Sequence, residues 1–175
     1  MFQESGFQVT IRESPDLHLS LSGKELFAEV KHFREKEQDR LDEERLSAAT
    51  DLFVPYGDTV PLEGKEAWRQ VFEVAQNKVT KCGDSSPLIV VLCSSSEHCI
   101  EDTEVLTAVH HIDEEISKNS NSELRSLNGI LLLSHFYSVR EGRSVFFFKV
   151  ENAARPLSPD VEEALRGVTQ WSRPD

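Results

Sequence analysis

The order of hydrophobic periodicities predicts an α/β domain with a mixed central sheet flanked by helices. Three observations carry that reading. The opening residues alternate apolar and polar side chains with a period of two. Two later segments repeat apolar residues at helical spacing. Short continuous apolar runs, 88–92 and 130–133, follow those helices, as strands buried on both faces do. A chain of 175 residues fits a single domain with a core of its own. One domain over 1–175 is expected, with an insertion at about 32–64.

Phe7 to Ile11 alternates like a strand, Ser14-Pro15 breaks it, and Leu17 to Leu21 alternates again. Ser22-Gly23-Lys24-Glu25 is a turn signal, and Leu26 to Val30 makes the next strand, so the chain opens as a β-meander. His32 to Ala49 is dense in charge with little apolar face, and reads as a solvated helix or an excursion from the domain. Thr50 to Gly64 reads as loop. Lys65 to Lys81 is the clearest helix, with Trp68, Val71, Phe72, Ala75 and Val79 on one face and Gly83 as its stop.

Leu88 to Cys93 follows as a buried strand, expected to lie parallel to an earlier one. Asp102 to Ser117 is a second amphipathic helix with Val105, Leu106, Val109, Ile112 and Ile116 inward. Ile130 to Tyr137 and Ser144 to Val150 are strands joined by a turn at Gly142. Pro159 to Gly167 is a short helix with Ser158 as its N-cap. Alternation puts Phe147 on the face opposite Phe146 and Phe148.

Composition narrows the functional classes. Hydrophobic residues make up 38% and charged residues 29%, which is globular rather than disordered. The net charge of −12 repels polyanions at long range and argues against a general nucleic-acid coat. It leaves room for an enzyme whose basic residues line one cleft. The 3 cysteines, Cys82, Cys93 and Cys99, have no paired spacing and read as reduced thiols. Cys93, His98 and Cys99 lack a fourth ligand for zinc. No apolar run approaches the ~18 residues of a membrane span, and Met1 to Gly6 has no signal-peptide pattern, so a cytoplasmic protein is expected. No P-loop, dinucleotide fingerprint, HExxH or GxSxG is present.

One constellation carries chemistry. Ser14-Pro15-Asp16 leads into one strand, and the neighbouring strand ends Ala28-Glu29-Val30-Lys31. Side chains alternate along a strand, so Glu29 and Lys31 share a face and Val30 points into the core. A hairpin through Ser22-Gly23 can bring Asp16 near Glu29. Two carboxylates beside a lysine suit Mg²⁺ or Mn²⁺, which takes few protein ligands and keeps water. Such an ion lowers the pKa of bound water and offsets phosphate charge, and a lysine can orient the attacking water.

At these residues the chain resembles the PD-(D/E)xK nuclease superfamily, whose fold is restriction-endonuclease-like. Pro15-Asp16, the strand after it and Glu29-Val30-Lys31 carry the resemblance, which covers roughly Gly6 to Cys93. The run Gly6-Phe7-Gln8-Val9 looks like that fold's first strand. The helix from Lys65 and the strand from Leu88 look like the elements that follow its ExK strand. The resemblance implies metal-dependent hydrolysis of phosphodiester bonds in nucleic acid, with DNA the expected substrate. It implies Asp16 and Glu29 as ligands of Mg²⁺ or Mn²⁺, with the Val30 carbonyl as a further ligand, and Lys31 as the residue that positions water. The family's helix often adds a Gln or a basic residue, for which Gln76 and Lys78 are the candidates.

Enzymes of this fold often dimerise, so a homodimer is compatible with the reading. Only Met1 to Ser5 precede the first strand, so the helix that usually opens the fold is expected to be short, missing or supplied by another chain. That difference and the acidic surface admit an alternative, a non-catalytic binding or assembly module of the same fold. A second alternative is an unrelated α/β interaction protein in which Glu29 and Lys31 are merely exposed. Ser158-Pro159-Asp160 repeats the tripeptide without an ExK strand, so Pro-Asp alone has little weight. Glu13 reads as a solvated loop carboxylate and His32 as structural. His110 and His111 diverge by about 100° on a helix and read as surface or boundary residues. Trp68 and Phe72 read as core.

Overall fold

The computed structural model describes residues 1–33, 66–83, 87–94, 100, 102–136 and 142–168. Most of the expected insertion, His98 and Cys99 lie outside the described residues. Six strands form one sheet in sequence order: β1 (Gln8–Ile11), β2 (Leu17–Leu21), β3 (Lys24–Phe33), β4 (Leu88–Ser94), β5 (Leu127–Phe136) and β6 (Gly142–Lys149). Among the described residues three α-helices flank it: α1 (Ala67–Cys82), α2 (Asp102–Lys118) and α3 (Pro159–Val168). The α/β class and the mixed sheet flanked by helices are as the periodicities predict. No described helix is long and apolar enough to cross a membrane.

β1, β2 and β3 pair antiparallel, β3, β4 and β5 run parallel, and β6 returns antiparallel to β5. Parallel neighbours need a crossover. The connections from β3 to β4 and from β4 to β5 carry α1 and α2, and both helices pack on one face of the sheet. There Val71, Ala75 and Val79 of α1 and Val105, Ala108, Val109, Ile112 and Ile116 of α2 cover Leu88, Val90, Leu92, Ile130 and Leu132. The other face buries Ala28, Ile89, Val91 and Leu131 beneath α3 and the N-terminal turn that carries Phe2 and Phe7. Because β4 and β5 are covered on both sides, their sequences are continuous in apolar residues rather than alternating.

Small departures from the expected inward faces follow from helix phase. Leu106 is 58% exposed, one residue round from the buried Val105 and Val109. Trp68 and Phe72 are partly buried at the margin of the α1–α2 core. Phe147 and Phe148 pack on opposite faces of β6 as alternation requires, but Phe146 at this edge strand stays exposed.

The β2–β3 turn positions everything that follows. Leu21 pairs with Lys24, leaving Ser22 and Gly23 as a two-residue loop, with φ of 52° and 79° respectively. Positive φ at both central positions is the hairpin turn whose twist matches the strands. It locks a register in which Leu17 faces Ala28.

At the far side, Gly129 of β5 lets two strands approach. A Cβ there would stand 2.6 Å from a Phe147 ring carbon and 2.7 Å from the Phe148 carbonyl oxygen. Beside it the buried Asn128 accepts the Leu88 N–H at 3.0 Å and donates to the Arg155 carbonyl at 2.6 Å. Gly129→Ala is expected to destabilise the domain by about 1–3 kcal/mol, because the backbone contact cannot be relieved by a side-chain rotation. Urea unfolding with an unchanged slope and a lower midpoint would show it.

Candidate functional site

One further step of the β2–β3 register beyond Leu17 and Ala28 sets Asp16 against Glu29. A one-residue slip would send Glu29 to the opposite face, so the two-residue turn is what makes the pair. Asp16 lies just ahead of β2. Its Oδ2 accepts the main-chain N–H of Val30 at 2.8 Å, which ties the carboxylate across to β3.

Glu29 shares its side of β3 with Phe27, the side covered by α1. Its exposure is 0%. The last turns of α1 answer it with Lys78, Lys81 and Cys82, which fall on one helix side at i, i+3 and i+4. Lys78 Nζ lies 2.6 Å from Glu29 Oε2 and 3.6 Å from Asp16 Oδ2. Lys81 Nζ lies 3.5 Å from the same Glu29 oxygen. Glu29 Oε1 is also buried, yet has no hydrogen-bond partner among the described residues.

Charge holds this arrangement together. A buried carboxylate is strongly disfavoured unless it is paired and hydrogen-bonded. Burial pushes the Asp16 carboxyl upward, but the Val30 N–H, Lys78 and Lys81 outweigh it and hold the group below its ordinary value of 3.8. Burial likewise favours a neutral Lys78, yet the hydrogen bond and negative charge of Glu29, with Asp16 behind it, raise the ammonium above its ordinary 10.5. Burial, and then the Glu29 charge, push the Cys82 thiol up to about 12. Cys82 is therefore a protonated thiol at neutral pH, not a nucleophile.

The structure brings together Asp16 and Glu29 of the sequence-derived set. Lys31 follows two residues along β3, is exposed, and makes no ion pair among the described residues. Gln76 is not brought to the pair. It lines a groove of about 420 Å³ between α1 and α2, with Trp68, Phe72 and His111. Residues 76 and 78 diverge by about 200° around a helix, so only one can face β3, and that one is Lys78. Lys81 and Cys82 join the site as well; their spacing puts them on the helix side of Lys78, but packing decides that this side meets β3.

The remaining candidates fall elsewhere. Glu13 is exposed. Glu25 meets His18 at 3.5 Å. His32 is exposed rather than packed. His111 stacks on Trp68 with ring centroids 4.2 Å apart, while His110 points outward to Glu114. Val30 points into the core on the α3 side of the sheet, opposite Glu29, as alternation requires.

The donor set fits a hard divalent cation in chemistry. It offers two carboxylates, Asp16 just ahead of β2 and Glu29 on β3, the latter with a buried oxygen that has no hydrogen-bond partner among the described residues. No group of three or more His, Cys, Asp and Glu side chains that could hold a metal occurs among the described residues. A two-carboxylate set matches an ion that keeps most of its water. Fold and site together define an α/β protein with a lysine-paired carboxylate couple, Glu29 buried and Asp16 partly exposed, where the β2–β3 hairpin meets α1. No protein-family model matches the chain, and no curated protein or solved structure matches it.

Two measurements check this electrostatic account. Lys78→Met leaves Glu29 buried with only Lys81 beside it, and is expected to destabilise the fold by about 3 kcal/mol. In Glu29→Gln the same substitution should cost clearly less, which a double-mutant cycle by denaturant unfolding would read. The sign of the pH dependence follows from Asp16. Its lowered pKa contributes stability that is present above the ordinary value of 3.8 and lost as pH falls through the folded value. Asp16→Asn should therefore flatten the acid limb of the stability curve below about pH 4.

Proposed function

We propose that this chain is a metal-dependent nuclease that hydrolyses phosphodiester bonds in nucleic acid, DNA above all, on a restriction-endonuclease-like α/β domain. The observation that supports it is the β2–β3 register. It sets Asp16 against Glu29 with Lys31 two residues along the same strand, the arrangement that the PD-(D/E)xK resemblance implies. Asp16 and Glu29 are the residues that would hold Mg²⁺ or Mn²⁺. Such an ion, when bound, supplies an acidified water and offsets charge on the phosphate. Lys31, exposed at the outer part of β3, orients the attacking water and faces the phosphate. The reading places the protein in the cytoplasm, and two copies acting together would serve a duplex cut on both strands.

Binding to phosphate must overcome a net charge of −12, so contacts depend on the local lysines, Lys31, Lys78 and Lys81, and weaken steeply with salt. A second reading has its own observation. The Lys78 ammonium lies within ion-pair distance of both carboxylates. In a non-catalytic binding or assembly module that pairing would be permanent and purely structural.

The deciding experiment is cleavage of plasmid, single-stranded and branched DNA and of RNA with Mg²⁺ or Mn²⁺, wild type beside Lys31→Ala. Metal-dependent cleavage reduced by about 10²-fold or more in the variant is the expected result. Equal cleavage in both proteins would assign the activity to another site or a contaminant. No cleavage of any substrate, with no Mn²⁺ bound, would favour the binding module.

A further inference from the structure

The ammonium of Lys78 stands where the two carboxylates converge, 2.6 Å from one and 3.6 Å from the other. Two carboxylates carry two negative charges, and Lys78 and Lys81 already balance them. A divalent cation on the same oxygens would bring four positive charges against two negative ones beside Glu29, which has no solvent exposure. Like charges at ion-pair distance repel strongly where water is excluded. One lysine must therefore give way. Lys78 is the one that stands between the carboxylates, whereas Lys81, among the described residues, pairs with Glu29 alone, at 3.5 Å, and is already 50% exposed.

We propose that Lys78 is a built-in competitor of the metal. It bridges Asp16 and Glu29 when no cation is bound, and withdraws when one binds. The inference rests on the reading of Asp16 and Glu29 as metal ligands. Its structural grounds are specific to this chain. Glu29 has no solvent exposure, and a buried carboxylate without a counter-charge is strongly destabilising, so an empty carboxylate pair needs a substitute cation. The Lys78 side chain is 20% exposed and sits on a flexible stem with an apolar body and a charged head. It can turn outward without unpacking α1, whose buried contacts are made by Val71, Ala75 and Val79. The released ammonium remains beside the site, where a phosphate bound to the metal would meet it.

Competition has an arithmetic consequence. If the carboxylates are free of Lys78 only a fraction of the time, the apparent metal affinity falls by that fraction. A Lys78-free state populated about one part in ten corresponds to a ten-fold weakening, or about 1.4 kcal/mol. Lys78→Met should therefore bind Mn²⁺ about ten-fold more tightly than wild type, while Lys81→Met should change affinity less than about three-fold.

Mn²⁺ titrations of the full chain by calorimetry or electron paramagnetic resonance would read these constants, with Glu29→Gln as the control that abolishes binding. The wild-type protein supplies a second measurement should Lys78→Met fail to fold. Acetylation of Lys78, followed by mass spectrometry, should rise several-fold on Mn²⁺ saturation. Acetylation of Lys24, which pairs with Asp160 at the far end of β3, should not change. Unchanged or weaker Mn²⁺ binding in Lys78→Met, or Lys78 acetylation that stays constant or falls at saturation, would overturn the proposal. Absence of Mn²⁺ binding in both wild type and Lys78→Met would overturn it together with the metal-site reading. Tighter binding in the variant without cleavage by either protein would uphold the competition and remove only the nuclease reading.

Discussion

A carboxylate with no solvent exposure lies at the seam between β3 and α1, and the local structure is arranged around giving it lysine partners. Glu29 sits among apolar side chains of the α1–α2 face, where an unpaired charge would be strongly destabilising. Lys78 and Lys81 approach it from the last turns of α1. Their positions constrain the phase of that helix and how its C-terminal end sits over the sheet. The same pairing draws in Asp16, whose carboxylate is pinned by the Val30 main chain and shares the Lys78 ammonium. Electrostatics at this point couples the β2–β3 hairpin to α1, which is distant from it in sequence.

The sheet supplies the geometry for that coupling. A two-residue turn at Ser22-Gly23 sets the β2–β3 register, and register decides which face every side chain takes. The parallel β3–β4–β5 core requires crossovers, which deliver α1 and α2 to one face while α3 and the N-terminal turn close the other. Glu29 is thus buried by the same layering that buries Val90 and Ile130. The site is not a loop feature placed on a scaffold. It is a polar interruption of the core, compensated from the covering helix.

Such an interruption is what a cation site and a structural ion pair have in common. Two opposed carboxylates attract whatever positive charge is nearest. In this chain a lysine from α1 is nearest, and a divalent ion would have to compete with it. The nuclease reading and the binding-module reading therefore differ less in their residues than in whether Lys78 yields.

What could be read from the sequence was local and periodic. The alternation in β1 and β2, the helical spacing of Val71, Ala75 and Val79, and the continuous apolar runs of β4 and β5 were legible because each follows from the geometry of a single element and the face it buries. Asp16 and Glu29 were legible as a pair because a short hairpin links them, and turn chemistry at Ser22-Gly23 is itself local. The choice of Lys78 over Gln76, the arrival of Lys81 and Cys82, and the full burial of Glu29 were not. They depend on the rotation of α1 about its axis and on its packing over β3, across the long stretch of chain between the two. Periodicity says that a helix has a buried side, but only tertiary packing decides which polar residues at its edge meet a given strand.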